Sequence, residues 1–368
     1  MRTAGDVGPL RAGIVGCGAI AGNHVSAYRG VDGVEVVACI DIDEDRARTF
    51  AAEHAITQPV SSLDELFDLG VDVISVCTPH PTHEAVVIAA AERGVHVLCE
   101  KPITIDVASA ERMVEACELA GITFGCVFQR RLWPSAKRIR AAIEDGRIGE
   151  PILARIEVLL HRDSSYYTAT PWRGTWATDG GGVLMTQAIH YVDLLQWYLG
   201  DVEWVMTAAD TFTHGDHIEV EDTLATTMRM SSGAIAQFTA STALTPGLGQ
   251  RIAITGAAGC TVGLFEYPEG TEAVNDVWAV PGQAAYSYPS EILADRSLDR
   301  INSALAPFHA EQITDFVAAV RAGTAPAVTG DDALRSLRTM SAMYRSMSSG
   351  RPERPGDLQP LHTERTSR

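Results

Sequence analysis

Ala12-Gly13-Ile14-Val15-Gly16-Cys17-Gly18-Ala19-Ile20-Ala21-Gly22 is the stretch on which the fold turns. A short apolar run meets two glycines one residue apart, and a small-residue segment then opens a helix. Residues 12–15 read as a buried strand. Gly16, Gly18 and Ala21 have the spacing of the G-x-G-x-x-A phosphate-binding turn. In it Gly16 permits the tight bend, Gly18 lets the backbone approach a pyrophosphate, and Ala21 allows close packing of the helix. Alone the hexapeptide is a modest signal, and its neighbours strengthen it.

Working outward, short apolar runs at 35–40, 73–77, 96–99 and 123–128 alternate with amphipathic stretches such as 84–93 and 107–120, the second opened by Asp106 as an N-cap. Strict alternation predicts a doubly wound parallel sheet covered on both faces, a Rossmann domain over residues 9–130. After a helix at 135–145 the pattern changes. Gly149-Glu150-Pro151 marks a boundary, strands are predicted at 152–161, 203–212, 223–230, 234–241 and 251–255, and helices at 183–199, 308–322 and 331–347. Residues 131–349 thus read as an α+β domain around a large, mostly antiparallel open sheet. Its exposed face needs covering, which predicts a homodimer or homotetramer through that sheet. Residues 350–368, rich in proline, charge and hydroxyls, read as a flexible tail.

Composition excludes several classes. With 29 basic and 47 acidic residues the net charge is −18, a field that repels nucleic acid and anionic lipid. The first ten residues lack a signal-peptide core and no stretch reaches the ~20 apolar residues of a membrane span, so a cytoplasmic protein is expected. Seven cysteines without paired spacing read as free core thiols, and no metal site is expected. Lysine occurs only at Lys101 and Lys137, arginine supplying the other positive charges. Arginine cannot exchange a proton near neutral pH, so a retained lysine hints at a place where deprotonation is useful.

Asp41 ends the second strand, where a carboxylate accepts hydrogen bonds from the adenosine ribose hydroxyls. A 2′-phosphate would meet negative charge there with no arginine before Arg46, which favours NAD over NADP. Asp43 is the better cap for the following helix. Ala19, Ile20 and Ile42 fall on the same cofactor surface.

Two further segments, Cys77-Thr78-Pro79-His80-Pro81-Thr82-His83 and Glu100-Lys101-Pro102, follow the fourth and fifth predicted strands. With the glycine turn they resemble the glucose-fructose oxidoreductase, inositol dehydrogenase and rhizopine-catabolism (Gfo/Idh/MocA) family, a likeness that covers nearly the whole chain. It implies that Thr78, Pro79, His83, Glu100 and Gln129 contact the cofactor, and that Lys101 reaches the nicotinamide from a segment whose proline bond is often cis. Independently, Lys101 lies just past a strand's carboxyl end, where open α/β sheets bind ligands. An amine partly desolvated beside a positive nicotinamide has a lowered pKa, suited to exchange with a hydroxyl.

The second shared motif runs Gly180-Gly181-Gly182-Val183-Leu184-Met185-Thr186-Gln187-Ala188-Ile189-His190-Tyr191-Val192-Asp193. Helical spacing places Thr186, His190, Asp193 and Trp197 on one side. Relatives commonly carry an aspartate where this chain has Thr186. A hydroxyl orients substrate but cannot serve as a base, so the base role falls to His190 or Lys101. Asp193 either orients His190 or bonds locally. Gln129, Arg131, Trp172 and Arg173 offer the aromatic surface and donors that sugar recognition needs; His161, Tyr166 and Tyr167 are not assigned.

The activity implied is an NAD-dependent dehydrogenase oxidising a secondary hydroxyl of a pyranose sugar, glycoside or inositol, with C3 as one option, or the reverse. Lys101, helped by His190, takes the proton. A UDP-sugar 3-dehydrogenase is the alternative substrate class, and a non-catalytic NAD-binding sensor the alternative of another kind. Zinc alcohol dehydrogenases and short-chain dehydrogenases do not fit the cysteine spacing or the tyrosine-lysine pairing.

Overall fold

A computed structural model of the chain describes residues 8–284 and 295–357. They divide into two compact units, residues 8–129 with 305–334, and residues 130–284 and 295–304 with 335–357.

The first unit is built on six parallel strands, β1 (Leu10–Val15), β2 (Val34–Ile40), β3 (Gln58–Val60), β4 (Val73–Val76), β5 (His96–Cys99) and β6 (Phe124–Cys126). Their order in the sheet is β3-β2-β1-β4-β5-β6. The order reverses between β1 and β4, so the turns that follow these two strands open at the switch point where doubly wound sheets bind ligands. Local chemistry sets the helix starts. Asp43 accepts the N–H groups of Asp45 and Arg46 at the head of Glu44–Glu53, and Asp106 accepts that of Ser109 at the head of Val107–Ala120. The edge strand β3, three residues with Pro59 at its centre, has no apolar alternation and was not legible in the sequence.

The core of this unit is closed by a segment from much later in the chain. Ile313, Phe316 and Val317 of the helix Leu298–Ala322 pack in one buried cluster with Ile14, Leu98 and Val127. Gln312 donates to the carbonyl of Cys126 at 2.7 Å. Residues 305–334 therefore belong with the first unit, where the sequence reading had assigned 131–349 wholly to the second; apolar periodicity marks a helix's buried stripe but not the sheet it covers.

The second unit holds β7 (Pro151–Leu159), β8 (Val202–Asp210), β9 (Thr223–Met230), β10 (Ile235–Ser241), β11 (Gly249–Gly256) and β12 (Thr261–Glu266), in the order β12-β11-β7-β10-β9-β8. All neighbours are antiparallel except β7 and β10. One face is a core lined by Ala154, Ile156, Val158, Phe238, Met228 and Ile252. The other carries Leu153, Arg155, Glu157, Met206, Thr227, Ile235 and Gln237, with Leu153, Met206 and Ile235 all exposed. The alternation is that of an antiparallel sheet packed on one side only. Residues 351–357 of the expected tail do not all hang free: Glu353 exchanges both backbone hydrogen bonds with Val205 at 2.9 Å. Residues 358–368 lie outside the described residues.

Arg130 and Glu266 are both buried and meet at 3.0 and 3.1 Å, and Gln250, the N–H of Gly270 and the Tyr191 hydroxyl also donate to the carboxylate. Removing one member of such a pair strands a buried charge. Arg130→Met is expected to lose about 3–5 kcal/mol of unfolding free energy in a denaturant titration, and an unchanged midpoint would overturn this structural role.

Candidate active site

In the first unit β1, β4 and β5 are neighbours, and each hands the chain to a segment singled out above. Gly16 has φ +91°, and a Cβ there would stand 2.7 Å from the backbone carbon and oxygen of Cys77. Only glycine lets the turn after β1 pass the end of β4 so closely. Gly18 differs in kind, since a Cβ there would meet no heavy atom within 4 Å. Gly18 and Ala19 are exposed, Ile20 half-buried, and the helix Ala21–Arg29 has no side-chain cap. Open space at a helix N-terminus fits a pyrophosphate, which the backbone dipoles and N–H groups favour.

Asp41 accepts the N–H groups of Cys17 and Asp43, each at 2.9 Å. Its position next to the glycine turn suits a ribose acceptor. One detail departs from expectation. The helix after β2 turns Arg46 back onto Asp41, with Nη1 at 3.1 Å from Oδ1. The first arginine after Asp41 in the sequence therefore stands at this carboxylate. Ile42 beside it is fully exposed.

Thr78 and exposed Pro79 follow β4, and Thr78 Oγ1 accepts from the Thr82 hydroxyl at 2.8 Å. His83 was grouped with cofactor contacts, but its ring is fully buried and faces two carbonyls, Thr78 at 2.8 Å and Ile103 at 3.0 Å. It stands between the loop after β4 and the loop after β5. Burial holds its imidazole below the usual pKa. Glu100 is buried at the end of β5 with its carboxylate turned inward, whereas Lys101 is half-buried and joins Pro102 by a cis bond. Gln129 is buried at the end of this unit's first segment, and its Oε1 has no hydrogen-bond partner among the described residues. A buried acceptor of that kind calls for a donor from a ligand or water.

In the second unit the glycine-led motif does not start as a regular α-helix. Residues Leu184–Ala188 form a π-turn that runs into the helix Ile189–Leu199. The wider π repeat breaks the four-residue step from Thr186 to His190, so the single face expected for Thr186, His190, Asp193 and Trp197 holds only within the α-helical part. Thr186 turns its hydroxyl back to the carbonyl of Gly182 at 2.8 Å and also meets Gln187. His190 is buried.

Arg131 was expected to face substrate. It is instead buried in a two-pronged pair with Asp193, at 2.8 and 2.5 Å, and lies over the Trp197 ring. A guanidinium removed from water needs such a fork-shaped partner. Arg173 does stand in an aromatic setting: it lies 4.2 Å over Tyr166 and 5.4 Å from Trp172, and donates to the Tyr166 carbonyl. Gln187 Nε2 reaches the Tyr166 hydroxyl at 3.0 Å. The structure therefore gathers Trp172, Arg173, Tyr166 and the π-turn in one unit, and Tyr166, unassigned in the sequence, joins the candidate set. Its only sequence signal was proximity to the segment 171–176, which carries Trp172 and Trp176.

Glu221 is a further residue that sequence reading missed. It accepts the N–H groups of Gly182 and Leu184 at 3.0 Å each and the Tyr344 hydroxyl at 3.1 Å, and so holds the start of the π-turn. Among the described residues no group of three His, Cys, Asp or Glu is placed to hold a metal ion, and no helix is long and apolar enough to cross a membrane.

Residues 10–128 match the model of an oxidoreductase family with an NAD-binding Rossmann fold, and residues 136–262 match that of the GFO/IDH/MocA C-terminal domain. The chain belongs to this family, and is an oxidoreductase that uses NAD. In particular it is 30% identical to a 1,5-anhydro-D-fructose reductase of Ensifer adhaerens, over 92% of this chain and 97% of the relative. It is 27% identical to a myo-inositol 2-dehydrogenase of Thermotoga maritima, over 93% and 97%. Among solved structures it is similar to the WlbA dehydrogenase of Bordetella pertussis in complex with NADH and UDP-GlcNAcA, with a TM-score of 0.80, 30% identity, and coverage of 94% of this chain and 98% of that one.

Burial pushes the Glu221 carboxyl up to about 7, against the N–H groups and the Tyr344 hydroxyl that favour its anion. A carboxyl whose folded pKa lies above its unfolded value binds its proton more tightly when folded. Its contribution is complete below the ordinary 4.5 and is lost as pH rises through about 7. Thermal unfolding followed from pH 4 to 9 should show Glu221→Gln with a flatter decline than wild type, the difference on the order of a few kcal/mol; identical slopes would contradict the assignment.

Proposed function

We propose that the protein oxidises a secondary hydroxyl of a pyranose sugar, glycoside or inositol to the ketone, or runs the reverse reduction. The observation that carries this reading is Lys101, a half-buried amine at the carboxyl end of β5, one of only two lysines in the chain, beside strands whose turns fit a dinucleotide. Relatives named as inositol dehydrogenases and a sugar reductase support the substrate class.

The residues divide the work by their chemistry. Gly16, Gly18, Ala19 and Ile20 give the backbone surface for the pyrophosphate, Asp41 takes the ribose hydroxyls, and Ile42, Thr78, Pro79 and Gln129 complete the cofactor's surroundings. NAD, when bound, supplies the acceptor for the hydride. Lys101 takes the proton from the substrate hydroxyl, and His190 is the second proton-handling group. Thr186 has no capacity to act as a base. Trp172 and Arg173, with Tyr166, offer ring faces and a cation to the substrate. That stacked arginine favours a second reading, a UDP-sugar substrate, which the likeness to the WlbA dehydrogenase also supports. A non-catalytic NAD-binding sensor rests only on Thr186.

Protein supplied with NAD and a panel of inositols, free pyranoses, glycosides and UDP-sugars is expected to produce reduced nicotinamide with at least one of them. Lys101→Met should lower kcat on that compound by about 10²–10⁴-fold while NAD affinity, read by fluorescence titration, stays near wild type. Undiminished turnover would remove Lys101 from the mechanism, and silence across the panel with tight NAD binding would favour the sensor.

The open face of the second unit's sheet supports a homo-oligomer. Leu153, Met206 and Ile235 are exposed on it, a surface that a second copy can cover. Light scattering should find a dimer or tetramer for the wild type and a smaller species for Met206→Asp with Ile235→Asp. A monomeric wild type would refute this assembly.

A further inference from the structure

Behind the end of β5 lies a buried polar cluster to which the reaction assigns no part. Glu100 Oε1 stands 2.9 Å from Nε2 of His24 and 3.7 Å from Nε2 of His309, and its Oε2 accepts the backbone N–H of Lys101 at 3.2 Å. His24 is 0% and His309 3% exposed. The other ring nitrogen of His24 is 2.9 Å from Ser75 Oγ, whose hydroxyl donates to Tyr28 at 3.0 Å. His309 Nδ1 faces the Leu305 carbonyl at 3.1 Å. The glycine-turn helix, β4, the end of β5 and a helix from late in the chain thus converge on one carboxylate, all within the first unit.

The remaining groups near this carboxylate are His83 and the thiols of Cys77 and Cys99. Burial and the carboxylate's own charge hold both thiols well above their ordinary pKa, and therefore neutral. Burial by itself would raise Glu100, but the two imidazoles outweigh it and hold the carboxyl well below the usual range. An anion in such a place needs directed partners; besides the Lys101 N–H, Nε2 of His24 stands at hydrogen-bond distance and Nε2 of His309 at ion-pair distance.

We propose that His24 and His309 are positioning residues for Lys101: they clamp the Glu100 carboxylate, and through it the backbone from which the lysine side chain branches. The proposal rests on the reading of Lys101 as the proton acceptor. A displacement of about 1 Å in a reacting group costs about 10²-fold in rate, so a rigid carboxylate behind the lysine has a direct chemical consequence.

Because the chain has only Lys101 and Lys137, reductive ¹³C-methylation of the lysines gives a probe that needs neither NAD nor substrate. Lys101→Met assigns the two side-chain signals. In His24→Met the Lys101 signal is expected to move and its titration midpoint to shift by about 0.5 pH unit or more, while the Lys137 signal stays put. His24→Gln, whose amide nitrogen can donate in place of Nε2, should restore the Lys101 signal, which a loss of packing alone would not explain. His309→Met and His309→Gln form an independent second pair should the His24→Met chain fail to fold. An unmoved Lys101 signal in the folded methionine variant, or equal displacement of both lysines, would overturn the clamp. The catalytic reading would fail separately, through undiminished turnover of Lys101→Met.

Discussion

A parallel sheet buried on both faces has only its strand ends to offer to a ligand, and the close passage of the β1 turn over the end of β4 is the contact on which the first unit's chemistry depends. The Cβ that Gly16 lacks would lie against the Cys77 backbone. With that approach achieved, Gly18 is left facing open space, Asp41 is drawn to the Cys17 N–H, and the Thr78 and Lys101 segments emerge beside it. The polar backbone at these ends still requires partners, and the buried side chains behind it supply them. His83 stands between carbonyls of the two adjacent loops, and Glu100 takes an N–H from the lysine that follows it. The exposed chemistry is shaped by groups that never reach the surface.

The second unit solves a related problem with buried polar groups. Arg130 with Glu266, Arg131 with Asp193, and Glu221 with two N–H groups and a phenol each pin an irregular segment that hydrophobic packing alone would leave free to slide. Consecutive arginines, identical in the sequence, go to separate carboxylates because each must find a fork-shaped acceptor once removed from water. The π-turn at Leu184–Ala188 sits on one of these pins. The wider turn there changes which side chains share a face, so the spacing argument holds from Ile189 onward and fails across residues 184–188.

The strands of the first unit were legible because each is a short apolar run bounded by turn residues, and the caps at Asp43 and Asp106 are chemistry local to one turn. The three-residue edge strand was not, since Pro59 interrupts any pattern, and β12 was passed over because Thr261–Glu266 carries no alternation. Lys101 and the glycine turn could be singled out because their identity and sequence context are themselves the signal. Tyr166, Glu221, His24 and His309 could not, because their significance lies in partners distant along the chain.

By itself, then, the amino-acid order determined the alternating fold of the first unit, the mixed sheet of the second, the dinucleotide turn and the lysine beyond β5, since each follows from periodicity or from neighbours within a few residues. Tertiary structure alone decided that 305–334 closes the first core, that Arg131 belongs to Asp193, that Arg46 returns to Asp41, and that two histidines from opposite ends of the chain share Glu100. The physical reason is common to all four. A buried charge or apolar stripe specifies that it must be satisfied, while the partner that satisfies it is chosen by three-dimensional packing.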